Sequence, residues 1–365
     1  MDEPLPLFVV FEAKNFSPTS TTTIYLDDVI VTEGVIQLTQ PAPMPDALRN
    51  YSGNSRLLFY DISAEEQRVA TMLPNGTNRL ILNQVDAVTV DGLPRWFGND
   101  QVVLSQKVFN PAVPADATVV PGGGSDVTRY SITDGTQEVL YITRGEPGVF
   151  NFPGAVDNRV ALDVEVRRTA WDLARNRGIL NVCGRNRSPE VGLNSDDICW
   201  VYLFDTNTNE VLNDEVNGFA PKWSVSGELA YYYDDQLFVA EVAGADIISR
   251  VIYEQNGLLQ ALDWSPDGTQ LVFAETVSSS GIINSEDVVI YAIKTLDIAT
   301  GQIDLLLQAD HGTLVPNLSW SPDSDFIVYS IDTEQGLQVW WLEVATGKTG
   351  PITNATNGYA ASWRK

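Results

Sequence analysis

Apolar positions come in short runs along this chain, and each run is closed by Gly, Pro, Asn, Asp or Ser. Arg56-Leu-Leu-Phe-Tyr60, Val102-Val-Leu104, Gly178-Ile-Leu180, Leu271-Val-Phe273 and Phe326-Ile-Val-Tyr329 are rich in β-branched and aromatic residues. Runs of this length and composition, punctuated by turn residues, predict strands. No apolar, uncharged stretch reaches the roughly 18 residues that a membrane-spanning helix needs. The pattern is that of an all-β protein.

The runs repeat with a period of about 40 to 55 residues, the range of propeller blades. Trp264-Ser-Pro-Asp-Gly268 precedes Leu271-Val-Phe273, and Trp320-Ser-Pro-Asp-Ser324 precedes Phe326-Ile-Val-Tyr329; Trp223-Ser-Val-Ser-Gly227, before Leu229-Ala-Tyr231, is a weaker copy. Trp closes an inner strand and packs between blades, Ser opens a turn, Pro presets φ, and Asp and Gly complete the reversal. Later turns at Asp205-Thr-Asn-Thr-Asn209, Asp297-Ile-Ala-Thr-Gly301 and Glu343-Val-Ala-Thr-Gly347 divide a third strand from a fourth. Four strands per repeat make a blade. Pro94-Arg-Trp96, Ala170-Trp171 and Ala361-Ser-Trp363 extend the series, giving six anchors and six blades. A seventh is the alternative, around Arg159–Val166 in the long interval between Trp96 and Trp171. No blade follows Trp363, so the C-terminal strand is expected to complete a first blade begun near Tyr51.

The Trp-Ser-Pro-Asp-Gly turn with its following apolar strand resembles the repeat of the TolB-like propellers, also called PD40 repeats. Met72-Leu-Pro-Asn-Gly-Thr-Asn-Arg-Leu-Ile-Leu82 is similar to the outer half of such a repeat. The resemblance covers 50–365 and implies a TolB-like β-propeller, six-bladed, with a central channel. It leaves function open, because propellers of this kind serve as interaction modules, peptidase domains and lyases. Residues 1–36 do not fit the repeat. Leu7–Ala13 and Thr23–Val31 read as two strands of a short N-terminal β extension, which resembles the end of a jelly-roll carbohydrate-binding module. That resemblance implies a structural calcium at Asp27; the alternative is an exposed acidic pair, and no other cofactor is expected. Residues 37–49, with Pro-Ala-Pro-Met-Pro, read as a stiff linker.

Composition then narrows the partners. The 48 acidic and 22 basic residues give a formal charge of −26, which repels phosphate backbones and anionic lipid heads, so neither nucleic acid nor membrane insertion is expected. Solubility is the plain explanation of this charge, and binding of a cation or a cationic partner is the alternative. Cys183 and Cys199 end two apolar runs; a bridge between them would clip the intervening loop and point to an oxidising compartment, whereas two buried thiols are the alternative. The N-terminal residues have neither a basic region nor a long apolar region, so a secretion signal is expected outside this chain. The localisation read from these features is extracellular, cell-surface or periplasmic.

Candidate chemistry is sparse. The single histidine, His311, occupies the same place before its Trp as Asn217-Gly218, Asn256-Gly257 and Asn357-Gly358, which reads as a turn residue. A Ser-His-Asp triad would need that one side chain, and a metal-dependent lyase would need several histidines. Gly122-Gly-Gly124 lacks the Lys and helix of a phosphate loop. The chain is therefore expected not to be an enzyme. Its binding candidates are loops that gather on one face: the long segments near 105–126, 184–197 and 276–287, with the blade-joining residues Phe219, Leu258, His311 and Tyr359. Trp340-Trp341 and Tyr231-Tyr-Tyr233 could stack on sugars, but strand alternation sends neighbours to opposite faces, so core packing is expected. The reading is a binding or scaffolding propeller for a protein or a glycan, with self-association a further option; the alternative is an accessory domain of a carbohydrate-active or peptidase system.

Overall fold

The computed structural model describes residues 41–61, 68–82, 93–108, 124–142, 161–186, 197–208, 210–212, 216–254, 258–278, 289–309, 313–333, 336–356 and 358–364. They form six antiparallel sheets arranged as the blades of a β-propeller. Blade 1 holds β1 (Leu57–Asp61), β2 (Arg68–Met72) and β3 (Leu80–Ile81); blade 2 holds β4 (Arg95–Trp96), β5 (Gln101–Val108), β6 (Gly124–Ser131) and β7 (Gln137–Ile142). Blade 3 holds β8 (Ala161–Asp172), β9 (Arg177–Asn186), β10 (Asp197–Asp205) and β11 (Glu210–Val211), with β12 (Val216–Asn217) also paired to β10. Blade 4 is β13 (Phe219–Trp223), β14 (Leu229–Tyr233), β15 (Gln236–Ala243) and β16 (Asp246–Glu254); blade 5 is β17 (Leu258–Trp264), β18 (Gln270–Ser278), β19 (Val289–Asp297) and β20 (Ile303–Ala309). Blade 6 is β21 (Thr313–Trp320), β22 (Phe326–Thr333), β23 (Gly336–Glu343) and β24 (Thr349–Thr356). The described part of the segment weighed as a seventh blade, from Ala161 on, belongs to β8, the inner strand of blade 3.

A blade is covered on both faces, which is why its strands read as continuous apolar runs. Successive residues serve opposite neighbours. Leu57 and Phe59 pack toward blade 6, while Leu58 and Tyr60 pack toward blade 2. Ile327 and Tyr329 join blade 5, and Phe326 and Val328 join blade 1. The adjacent Trp340 and Trp341 likewise part, one into each of these cores. Six such clusters, one at each interface between neighbouring blades, make up the hydrophobic core.

The Ser-Pro-Asp-Gly turn works as its residue types require. Ser265 donates its hydroxyl to Asp267 at 2.6 Å and accepts the Gln270 N–H at 3.0 Å, while Asp267 also accepts from the N–H and hydroxyl of Thr269. Gly268 supplies the left-handed residue, at φ +74°. In blade 6 a serine, Ser324, holds that conformation at φ +65°.

β25 (Gly358–Trp363) is the inner strand of blade 1 and pairs antiparallel with β1, Leu57 opposite Trp363 and Tyr60 opposite Tyr359. The stretch read as linker is docked in its later part: the Ala42 N–H donates to Thr349 O at 2.8 Å, a short helix α1 (Asp46–Arg49) follows, and Leu48 is buried between blades 6 and 1. Gly350 lets that strap approach, since a Cβ there would strike Ala42 O. Cys183 and Cys199 face each other across β9 and β10 and are bridged, both buried.

Candidate functional site

Each of the six inner strands, β25, β4, β8, β13, β17 and β21, carries its anchor Trp at or next to its C-terminal end. Strand alternation sends the residue before each Trp to the other face of the sheet. Those six residues, Ser362, Arg95, Ala170, Lys222, Asp263 and Ser319, all line one cavity of about 280 Å³ at this end of the ring, together with Trp96, Trp171, Trp223 and Trp363. Every blade therefore contributes to it.

Its polar groups are buried and tied together. The Arg95 guanidinium is 5% exposed, and its Nη1 donates to Asn317 Oδ1 at 3.0 Å; Asn317 in turn donates to Ala361 O. Lys222 Nζ lies 3.5 Å from Asp263 Oδ1, and Asp263 Oδ2 accepts from the Ser319 hydroxyl at 3.3 Å and the Trp320 N–H at 3.1 Å. Ser319 Oγ accepts the Trp363 N–H at 3.0 Å. Indoles stitch neighbouring blades: Trp96 Nε1 donates to Ser362 O at 3.1 Å and Trp264 Nε1 to Lys222 O at 3.0 Å.

Burial, and after it the nearby Arg168 charge, lower the Arg95 pKa to about 10, against the opposite pull of Asp263 and Tyr60. At neutral pH Arg95 thus remains a cation. Among the described residues, the cations Arg95 and Lys222 line the cavity with the carboxylate Asp263, and the Arg168 charge lies near Arg95.

The residues singled out from the sequence lie elsewhere. Phe219 opens β13, half-buried and stacked on Tyr232 with ring centroids 5.6 Å apart. Leu258 opens β17 and Tyr359 lies near the start of β25, so all three mark the N-terminal ends of inner strands, away from the Trp cavity. The side chains of Leu258 and Tyr359, like His311, Asp27, residues 1–36 and the segments 109–123, 187–196 and 279–288, fall outside the described residues. Among the described residues no group of three His, Cys, Asp or Glu side chains is placed to hold a metal ion. Sequence reasoning missed Arg95, Lys222 and Asp263. The signal was there: a charged residue directly before an anchor Trp sits in an inner strand and must be buried near the channel.

No family profile and no curated protein sequence matches the chain. Among solved structures, TolB from Acinetobacter baumannii is similar at a TM-score of 0.58 and 12% identity, over 87% of this chain and 69% of that one. A propeller in a nidogen/laminin complex aligns at a TM-score of 0.49 and 13% identity, over 85% of this chain and 98% of that one. An oligogalacturonate lyase in complex with manganese aligns at a TM-score of 0.46 and 13% identity, over 83% of this chain and 74% of that one. The likeness to TolB agrees with the six-bladed propeller that the sheets form. One expectation is corrected. The chain was read as no enzyme, yet the same architecture carries a lyase, because a ring of blades leaves its channel and loops free to host unrelated chemistry. The scarcity of histidine does not exclude catalysis.

Proposed function

We propose that this chain is a partner-binding propeller whose site is the Trp-lined mouth of its central channel, where Arg95 and Lys222 lie, and that the partner is a protein. The observation that carries the reading is the convergence of all six blades on one cavity holding buried charged side chains, since burying charge is costly and such groups cluster at functional sites. The likeness to TolB and to a propeller found in a complex fits a binding role. Aromatic and arginine side chains around a cavity are also what protein interfaces concentrate at their centres. The buried Cys183–Cys199 bridge supports a periplasmic or secreted location. The four tryptophans give a glycan partner a specific observation of its own, because indole faces stack on sugar rings.

The test is affinity capture with the full chain from envelope and secreted fractions of the producing cells, beside Asn99→Trp. Asn99 is exposed and lines the cavity, so the new indole plugs the mouth without entering the core. A protein retained by the native chain and lost with the plug is expected. Identical capture by both would place the partner elsewhere and refute the reading; retention of glycans instead of protein would favour the sugar version.

A further inference from the structure

The cavity at the channel mouth has an unbalanced set of hydrogen-bonding groups. Its acceptors are used: Asp263 faces Lys222, Ser319 and the Trp320 N–H, and Ser362 O takes the Trp96 indole. The buried side-chain polar atoms of the described lining residues that lack a hydrogen-bond partner are all donors, namely Nε and Nη2 of Arg95 and the indole Nε1 of Trp223 and of Trp363. A buried donor without an acceptor is destabilising, and a buried cation more so. An acceptor-rich anion would supply what these donors lack.

We propose that the channel mouth is a carboxylate-binding site in which Arg95 takes the anionic end of the ligand, with Lys222 in the same lining. The inference rests on the mouth being the binding site and adds the chemistry of what enters it. A carboxylate matches the guanidinium fork, offering two oxygens to two N–H groups. The volume of about 280 Å³ is at the small end of ligand pockets, so it admits a small acid or the tip of an extended chain rather than a folded surface. Because the protein carries −26 overall, it repels anions at long range, and affinity for one reports a local site rather than general attraction.

The experiment is titration of the full chain at low ionic strength, followed by tryptophan fluorescence and calorimetry. The probes are succinate, acetyl-trialanine with a free terminal carboxylate, and the same peptide as its amide. Saturable binding by at least one carboxylate is expected, with the amide at least tenfold weaker and Arg95→Met weakening the acid at least tenfold. Asn99→Trp, on the exposed rim, is the second variant; it should block binding with its melting temperature unchanged, and it decides the matter if Arg95→Met does not fold. Succinate alone would identify a free acid, and the peptide alone a chain terminus. Either supports the site. No saturable carboxylate binding, equal binding of the amide, or native affinity in Asn99→Trp would overturn it. If a protein partner is captured at the mouth while no carboxylate binds, this inference falls and the partner reading stands.

Discussion

Deleting residues 359–365 is expected to remove most of the stability of the domain. β25 is the innermost strand of blade 1 and is held from three sides. It pairs with β1 along Leu57–Trp363 and Tyr60–Tyr359, accepts from Asn317 of blade 6 at Ala361 O, and accepts the blade 2 indole of Trp96 at Ser362 O. Ala361 and Trp363 are buried in the core between blades 6 and 1, the latter 3% exposed. Loss of a buried Trp side chain costs about 3–5 kcal/mol, and each ladder or side-chain hydrogen bond about 0.5–1.5 kcal/mol net, so the deletion removes about 6–12 kcal/mol. That is comparable with the whole unfolding free energy of an ordinary domain, about 5–15 kcal/mol. The freed edge of β1 would also invite association. The assay is urea unfolding of the full and shortened chains, read by tryptophan fluorescence and far-UV circular dichroism, with light scattering for self-association. Trp363→Ala should fall between them, at about 3–5 kcal/mol. An unfolding midpoint unchanged by the deletion would refute the claim that the C-terminal strand holds the ring closed.

Replacing both cysteines by alanine should cost about 3 kcal/mol, the loop entropy released when a bridge spanning 16 residues is removed, and a reductant should act on the native chain alike; urea midpoints with and without reductant check it, and no shift would disprove the contribution. Ser324→Gly should stabilise by about 0.5–1 kcal/mol, because a left-handed L residue costs about 1–2 kcal/mol and glycine returns part of that as entropy. Gly268→Ala should destabilise by about 1–2 kcal/mol, since its φ is +74° and the added Cβ would lie 3.1 Å from Val225 Cγ1; thermal melts of the pair should move in opposite directions. Hydrogen bonds from Ser131 and from the N–H and hydroxyl of Thr136 hold the Asp134 carboxyl at about 2. Being depressed, it contributes stability that is present above its unfolded value near 3.9 and is lost as pH falls through about 2. Asp134→Asn should flatten that acid limb, and an NMR titration of the carboxyl placing it near 4 would contradict the turn geometry.

The blades were legible because their determinants are local. Trp264-Ser-Pro-Asp-Gly268 and Trp320-Ser-Pro-Asp-Ser324 encode a turn in which the Ser and Asp side chains bond each other, and two-faced burial writes each strand as an unbroken apolar run such as Leu57-Leu-Phe-Tyr60. Repetition of those signals fixes the number of blades. The division of Trp340 and Trp341 between two cores followed from strand alternation alone. Function was not legible in the same way. Arg95, Lys222, Asp263 and Ser319 each stand directly before an anchor Trp, which places them on inner strands, but they lie on four different blades and nothing local says which of them meet. Only closure of the ring brings their strands around one axis, sets Asp263 between Lys222 and Ser319, and leaves Arg95 buried with part of its guanidinium unmatched. Local chemistry determined the blades; long-range geometry decided which charges meet, because strand alternation sets the face a side chain takes, whereas its neighbours across the channel depend on how every blade packs on the next.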